Sequence, residues 1–534
     1  MIVKLILARS DLRRWHLDLA DRIDCMAGVQ CAVGFADADS CQLSDRVERL
    51  FRLETLVDRS LTPAASTHIE ASALEARAAM VGTPTLLLDL TPGGAEAGLD
   101  DASAADLWHL TFDGTRGEPG LVTALLAGRT PVVEIRCGYN LVESGRVGTE
   151  HQGELLRSFE DCLARTATII EGALRRRFGG SPSSPPAAVM PEPAEGPTQL
   201  GISELTQRAI SILKQAALKR VLRTAFYSPH WRVGWRRIVD GDLFDLRAYP
   251  EGGWEFLPDD GTRFYADPFP IELGGRTFLF IEDFAHRRQK GVISVVEFDR
   301  DGPMGTPQTV LEEPWHLSYP FVFEAEGEIW MIPESSAASR IDLYRATAFP
   351  GGWKRVTTLV AGVEASDATL IQHGDRWWMF ATVRDGRKGA FSDALWIWHA
   401  PSFRGPWTQH HSNPVLVDIA SARPAGRIVE RDGVWWRPVQ DCSVRYGGAL
   451  ALARIEALDE NVFQQQVETV LHPGRDGWPG RRLHTLNRSG SFEFIDSSAP
   501  PSLKYAPLRW ARREPPGRRL ADLPKVHAFP KAQA

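Results

Sequence analysis

From Trp231 onward the hydrophobic positions fall into short runs rich in aromatic and β-branched residues, broken by Gly-rich turns. That pattern predicts short strands and tight hairpins. Five runs read as inner strands: Asp267–Glu272 (DPFPIE), Tyr319–Glu324 (YPFVFE), Asp367–Gln372 (DATLIQ), Arg423–Glu430 (RPAGRIVE) and His484–Ser489 (HTLNRS). Each leads through a turn into a second apolar run: RTFLFIED, EIWMIPES, RWWMFATV, VWWRPVQD and SFEFIDS. The starts, 267, 319, 367, 423 and 484, are 52, 48, 56 and 61 residues apart. A supersecondary unit repeated at that period predicts an all-β five-bladed propeller over 230–500.

A propeller gathers the starts of its inner strands and the ends of its second strands around one mouth. The spacing supports equivalent positions, because 282−267, 334−319 and 382−367 all give 15. The rim therefore holds Asp267, Tyr319, Asp367, Arg423 and His484, joined by Glu282, Glu334, Gln440 and Asp441. A polar, mostly acidic funnel among aromatic residues suits a sugar, whose hydroxyls bond carboxylates while its apolar face stacks on rings. Chemistry at an anomeric centre needs a carboxyl acid and a carboxylate base or nucleophile. Asp267 is the expected base or nucleophile, Glu334 the acid, and Asp367 a group that orients substrate or tunes its neighbour. Glu282, Tyr319, Arg423, Gln440, Asp441 and His484 are the expected substrate contacts. No spacing demands a metal ion.

Residues 1–178 have a different rhythm. Apolar runs at Ile2–Leu7, Gln30–Phe35, Pro84–Leu90, Leu107–Phe112 and Pro131–Ile135 alternate with helical patterns at Arg13–Met26, Ala71–Met80, Glu118–Ala127 and Leu155–Arg176. Alternation of this kind predicts an α/β layer on a mostly parallel sheet. The stretch 179–201, rich in Pro, Ser, Ala and Gly, reads as a linker. Residues 202–229 follow as an amphipathic basic helix. It is read either as a membrane-surface or partner helix across 202–226 or as a helix packed on the next domain with a solvated basic face. The tail, 501–534, is rich in Pro, Arg and Lys.

Composition narrows the functional classes. The chain has 534 residues, enough for two or three domains, and a net charge of −7, which gives no overall attraction to nucleic acid. The six cysteines form no C-x-x-C pair, so a reduced, cytoplasmic chain is expected. The short apolar start is a first strand rather than a signal peptide, and no run is long enough to span a membrane. The expected location is therefore cytoplasmic, at a membrane periphery if the basic helix binds one.

Several motifs carry a resemblance. ADPF at Ala266–Phe269, HLSYPFVF at His316–Phe323, MIPES at Met331–Ser335, LYRATAFPGGW at Leu343–Trp353, SARPAGR at Ser421–Arg427 and RPVQDCSVRYG at Arg437–Gly447 resemble the N-terminal propeller domain of glucosamine inositolphosphorylceramide transferases. That domain is in turn similar to the propellers of family-43-type glycosidases and of invertases. Those enzymes carry an Asp-Pro at the first blade, matched here by Asp267-Pro268. Invertases carry Arg-Asp-Pro at the second, where this chain has Ser318-Tyr319-Pro320. In residues 1–178, Leu107-Trp108-His109-Leu110, ALLAGR at Ala124–Arg129 and Val142-Glu143-Ser144-Gly145 resemble formyltransferases. The resemblance places His109 as the catalytic histidine, Leu107 at the position of an Asn, and Glu143 at that of an Asp. It implies a degenerate domain lacking an oxyanion stabiliser, with formyl-tetrahydrofolate as cofactor only if the domain is active.

The combined expectation is a carbohydrate-active protein of envelope-polysaccharide or glycolipid metabolism, with glycosyl transfer or hydrolysis in the funnel. Its partner would be a glycan, sugar nucleotide or glycolipid. The alternatives are a non-catalytic glycan-binding module on an α/β scaffold, or formyl transfer to an amino sugar by the N-terminal domain.

Overall fold

The computed structural model describes residues 1–36, 43–59, 61–80, 82–94, 106–149, 151, 153–179, 200–250, 252–384, 389–473 and 480–504. Most of the linker and of the tail lies outside the described residues.

The N-terminal domain is one sheet with helices. Its strands are β1 (Ile2–Ala8), β2 (Gln30–Ala36), β3 (Leu86–Asp89), β4 (Asp106–Phe112), β5 (Thr115–Arg116), β6 (Val132–Cys137) and β7 (Asn140–Arg146), in the order β2-β1-β3-β4-β6-β7 with β5 against β4. β2, β1, β3 and β4 are parallel, whereas β5, β6 and β7 join antiparallel. The sheet is thus mixed, not mostly parallel as expected. The cause is local: Cys137 pairs with Asn140 across a two-residue turn, and such a turn can only reverse the chain. Helices α1 (Arg14–Asp24), α2 (Asp45–Val57), α3 (Glu75–Ala78), α4 (Glu118–Leu126) and α5 (Leu155–Phe178) follow the strands. The main core packs Leu5, Leu88, Leu110 and Ile135 from the sheet against Leu19, Phe51, Leu121, Phe159 and Ile170 from four of these helices. Ile6 and Leu87, on the opposite sheet face, form a small second cluster with Ala36 and Leu107.

Helix α6 (Ile202–Ala225) returns to this domain instead of packing on the propeller ahead of it. Leu205 and Ile212 pack against the N-terminal core, and Arg208 donates to the Leu126 carbonyl at 2.6 Å.

Residues 231–498 close into five antiparallel blades. Blade one opens with Arg263–Leu273 and Arg276–Ala285, blade two with Ser318–Ala325 and Glu328–Glu334, and blade three with Glu364–His373 and Arg376–Arg384. Blade four opens with Val429–Arg431 and Val434–Asp441. Blade five is composite. Its inner strands, Leu486–Ser489 and Phe492–Ser498, pair onward to Trp231–Arg237 and Glu255–Phe256 from the other end of the propeller. Such a ring gathers the inner strands around one axis and leaves the outermost strand of each blade, such as Gly351–Ala361, as its edge. The second strands are near-continuously apolar and buried, as in Phe278–Ile281 and Trp330–Ile332, because neighbouring blades cover both faces.

The two domains share a buried seam. Val417 and Ala394 of blade three belong to the N-terminal core, and Ile419 donates its N–H to the Arg146 carbonyl at 3.0 Å. Arg165 of α5, 1% exposed at its side chain, donates to the carbonyls of Val383 at 3.1 Å and Ala390 at 3.0 Å. Val383 lies one residue from the end of the second strand of blade three, so the N-terminal domain sits against the rim where the acidic residues gather.

Candidate functional site: the propeller mouth

Three inner strands carry the same backbone irregularity. Asp267, Tyr319 and Asp367 have φ of 49°, 42° and 60°, each inside a register shift of its first hairpin. Non-glycine residues seldom hold positive φ, and the extra residue of a bulge re-aims a side chain. The strain falls on the residues at the mouth, where such outliers concentrate. Across the hairpins, Ala266 pairs with Glu282, Ser318 with Glu334 and Ser366 with Thr382, so the last three occupy one equivalent position.

Asp267 is wired to its neighbours on both sides. Its Oδ2 accepts from the Tyr319 N–H at 3.1 Å, its Oδ1 accepts from the Thr485 hydroxyl at 2.8 Å, and its own N–H donates to Asp496 at 3.1 Å. Asp367 accepts at Oδ2 from Arg423 Nε at 2.6 Å and from Gln440 Nε2 at 3.1 Å. Arg423 also donates to Ser392 at 3.2 Å and lies 4.9 Å above the Tyr446 ring. His484 pairs with Asp496 through Nδ1 and stacks on Trp231 at 4.1 Å, with Tyr446 edge-on at 5.2 Å. His316 Nε2 lies 3.4 Å from Glu282. Glu334 is only partly buried and accepts from the Ser336 hydroxyl at 2.7 Å.

Not every rim residue faces this cluster in the same way. The Tyr319 ring runs down the axis, where its hydroxyl meets Thr369 at 2.9 Å and accepts from the Gly426 N–H at 2.8 Å. Asp441 accepts from the N–H and hydroxyl of Ser443, which makes it a turn former at the rim. Asp283 is turned into its blade, bonded to Arg263 and Ser294.

Burial dominates the electrostatics. It raises Asp267 to about 6, with Asp496 and Asp367 adding repulsion against the pull of His484. Asp367 is also raised to about 6, by burial and then by Glu334, with Arg423 opposing. Glu282 is pushed well above the usual carboxyl range by burial, and then by Asp267 and Glu334. Burial lowers His316. In His484 burial works the same way, but Asp496 outweighs it and the imidazole is raised. Two carboxyls raised to about 6, a third raised well above the usual carboxyl range, an imidazole raised by its carboxylate partner and a guanidinium form a constellation able to move protons.

Asp267, His484 and Asp496 bring ligand atoms within 4.8 Å of one another. Asp496 already accepts from the N–H groups of Asp267, His484 and Thr485, and it pairs with His484, so its oxygens are spent on holding blades together.

In the N-terminal domain, the two residues of the formyltransferase resemblance part company. His109 pairs in register with Arg136, and Glu143 with the adjacent Ile135. Neighbouring positions along a strand face opposite ways, so His109 and Glu143 lie on opposite faces of the sheet. Glu143 forms an ion pair with Arg176 of α5. His109 stands with Asp89, Arg116, Glu134 and Arg136, and its pKa is lowered chiefly by burial and then by Arg116.

Asp496 ends the fifth second strand, and the repeat itself returns it to the mouth. Sequence patterning did not single out Trp231, His316, Tyr446 or Thr485 as members of one site. His316 and Tyr446 lie inside the quoted motifs, so a signal existed for those two. Trp231 arrives from the far end of the propeller and had none.

Comparison with known proteins bears on this region. Over 245 residues the chain is 36% identical to glucosamine inositolphosphorylceramide transferase 1 of Oryza sativa subsp. japonica, a match spanning 44% of this chain and 32% of that protein. The Arabidopsis thaliana protein of the same name is 33% identical over 243 residues, with the same shares. The match thus spans about a third of the length of these relatives. Among solved structures, a family 117 glycoside hydrolase from Zobellia galactanivorans aligns at TM-score 0.33 and 11% identity, covering 50% of this chain and 91% of that one. A thermostable family-43 glycoside hydrolase aligns at 0.32 and 12%, covering 43% and 85%. Residues 259–495, most of the propeller, match the family model described as glucosamine inositolphosphorylceramide transferase 1, N-terminal.

Proposed function

We propose that the propeller mouth takes a sugar residue of a glycan or glycolipid and that the protein is carbohydrate-active there, by glycosyl transfer or hydrolysis. The observation that carries this reading is the cluster of buried carboxyls at the mouth, Asp267 and Asp367 raised to about 6 and Glu282 raised well above the usual carboxyl range, beside the more open Glu334. Asp267 serves as base or nucleophile, Glu334 as the acid that protonates the leaving oxygen, and Asp367 orients substrate through Arg423. Although Asp267 accepts two hydrogen bonds from its surroundings, a carboxylate offers about four acceptor positions, so capacity for a substrate remains. The name of the plant relatives supports an amino sugar or inositol glycolipid as the class of ligand.

The test is turnover by the full chain with a panel of sugar nucleotides and glycolipid acceptors. Asp267→Asn and Glu334→Gln should each abolish product while the far-UV and near-UV circular dichroism stay unchanged. Wild-type rates in both variants would overturn the assignment. A second reading, a sugar-binding module without chemistry, draws support from the bonds that tie Asp267 to blades two and five. Saturable oligosaccharide binding with no product over long incubation would favour it. Formyl transfer is not proposed, because His109 and Glu143 cannot meet across the sheet.

A further inference from the structure

Helix α6 has two unlike halves. Its first half is fastened to the N-terminal domain by Leu205, Ile212 and Arg208. At about 3.6 residues per turn, Ile210, Leu218 and Val221 fall on the face turned away from those anchors, with Leu213 and Leu222 along its two edges. In that order they are 46%, 57%, 63%, 52% and 39% exposed. An apolar face of this width on an otherwise ordinary surface needs an occupant.

The charges identify the occupant. The helix carries five cations, Arg208, Lys214, Lys219, Arg220 and Arg223, against one carboxylate, Glu204. Lys219 pairs with Glu154. Arg220 and Arg223 have no side-chain partner among the described residues, and they line a cleft of about 890 Å³ between the helix and the N-terminal domain. Lys214 sits within the apolar stripe itself. A second copy of this helix laid on the stripe would bring like charges together. An anionic bilayer would neutralise them while its acyl region takes up the leucines, as interfacial helices do. The chain's other basic stretch begins beside the same place. Leu503 pairs with Phe226, and the sequence beyond 504 has seven Lys and Arg (509, 512, 513, 518, 519, 525, 531) against two acids (514, 522).

We infer that the distal half of α6 is a membrane-docking element: Leu213, Leu218, Val221 and Leu222 enter the headgroup boundary of an anionic bilayer while Lys214 within that face and Arg220 at its edge engage lipid phosphates. This does not depend on the sugar reading, and its test uses no sugar.

The experiment is co-flotation of the full chain with vesicles of phosphatidylcholine alone or of phosphatidylcholine with phosphatidylglycerol. The wild-type protein floats with the anionic vesicles only, and added salt weakens the association. Leu213→Glu/Val221→Glu removes binding. Lys214→Gln/Arg220→Gln, which removes the two cations on and beside the outer face and leaves the anchors Leu205, Arg208 and Ile212 in place, lowers the partition coefficient about thirty-fold, since each cation near an anionic leaflet contributes comparably. Failure of the wild-type protein to float, or full binding by either variant, would overturn the inference. So would a dimer, seen by light scattering, that the Leu213→Glu/Val221→Glu change dissociates, because the stripe would then be a contact between copies.

Discussion

Arg165 of the N-terminal domain donates from Nε to Oδ1 of Asp393 in the propeller at 2.9 Å, across 228 positions of sequence. Asp393 also receives the Gly148 N–H at 3.2 Å. Its neighbour Ser392 accepts from Arg423, and Arg423 holds Asp367. A run of polar contacts thus connects α5 to a carboxyl at the propeller mouth. Arg165→Ala should destabilise the protein by about 3–5 kcal/mol, the usual consequence of stranding one member of a buried ion pair. Chemical denaturation measures the loss. Hydrogen exchange should quicken at 389–393 and 419–423, and Arg165→Lys should restore the charge without restoring all three acceptors.

The shifted carboxyls set a pH dependence. Asp267 and Asp367 ionise near 3.8 in the unfolded chain and near 6 when folded. The folded state therefore binds more protons between those values, and stability falls as pH rises through that window. Both groups are protonated below it, so their contribution is then fully present. Thermal melting should show Tm declining from about pH 4 to about pH 6 on their account. Asp367→Asn should flatten that slope. An unchanged slope in both Asp267→Asn and Asp367→Asn would contradict the shifts.

Tyr319 is held at both ends, by its N–H on Asp267 and its hydroxyl on Thr369 and Gly426. Tyr319→Phe leaves the Gly426 N–H buried without its acceptor. A loss of about 1–3 kcal/mol follows from that one unsatisfied donor, and urea denaturation should register it with little change in slope.

The seam between the domains is tight at two glycines. A Cβ on Gly148 would lie 2.3 Å from Ile419, and one on Gly145 would lie 2.8 Å from Val417. Gly148→Ala should cost about 1–3 kcal/mol by overpacking. Limited proteolysis should then cut more readily near the linker, and the defect should ease in a Gly148→Ala/Ile419→Ala double variant.

Much of the propeller could be read from the sequence because its geometry is periodic. The constant spacing of 15 in three blades reflects a constant construction: one bulge, one hairpin turn, and a return to the register position held by Glu282, Glu334 and Thr382. Blades four and five break the count. Arg423 lies ahead of a short inner strand, Val429–Arg431, and blade five draws half its strands from residues 231–256. The spacing rule therefore placed Asp267, Glu334 and Asp367 better than it placed Asp441, whose side chain closes a turn.

Long-range pairing left no local trace. Nothing near Arg165 marks it as a partner of Asp393, and Trp231 meets His484 only because the ring closes. The Gly138-Tyr139 turn did carry a signal for the antiparallel half of the N-terminal sheet. It was masked by the strand–helix alternation before it, which favours parallel crossovers.

The composite fifth blade also bears on biosynthesis. Trp231–Arg237 leaves the ribosome some 250 residues before its partner Phe492–Ser498, and until then Val233 and Trp235 have no Phe494 to cover them. The N-terminal domain can complete its sheet during translation, but the propeller waits as an open arc with two unpaired strand edges, a condition prone to aggregation. A nascent chain stalled before residue 492 would be a client for chaperones, and a nonsense mutation there would remove the whole ring rather than one blade.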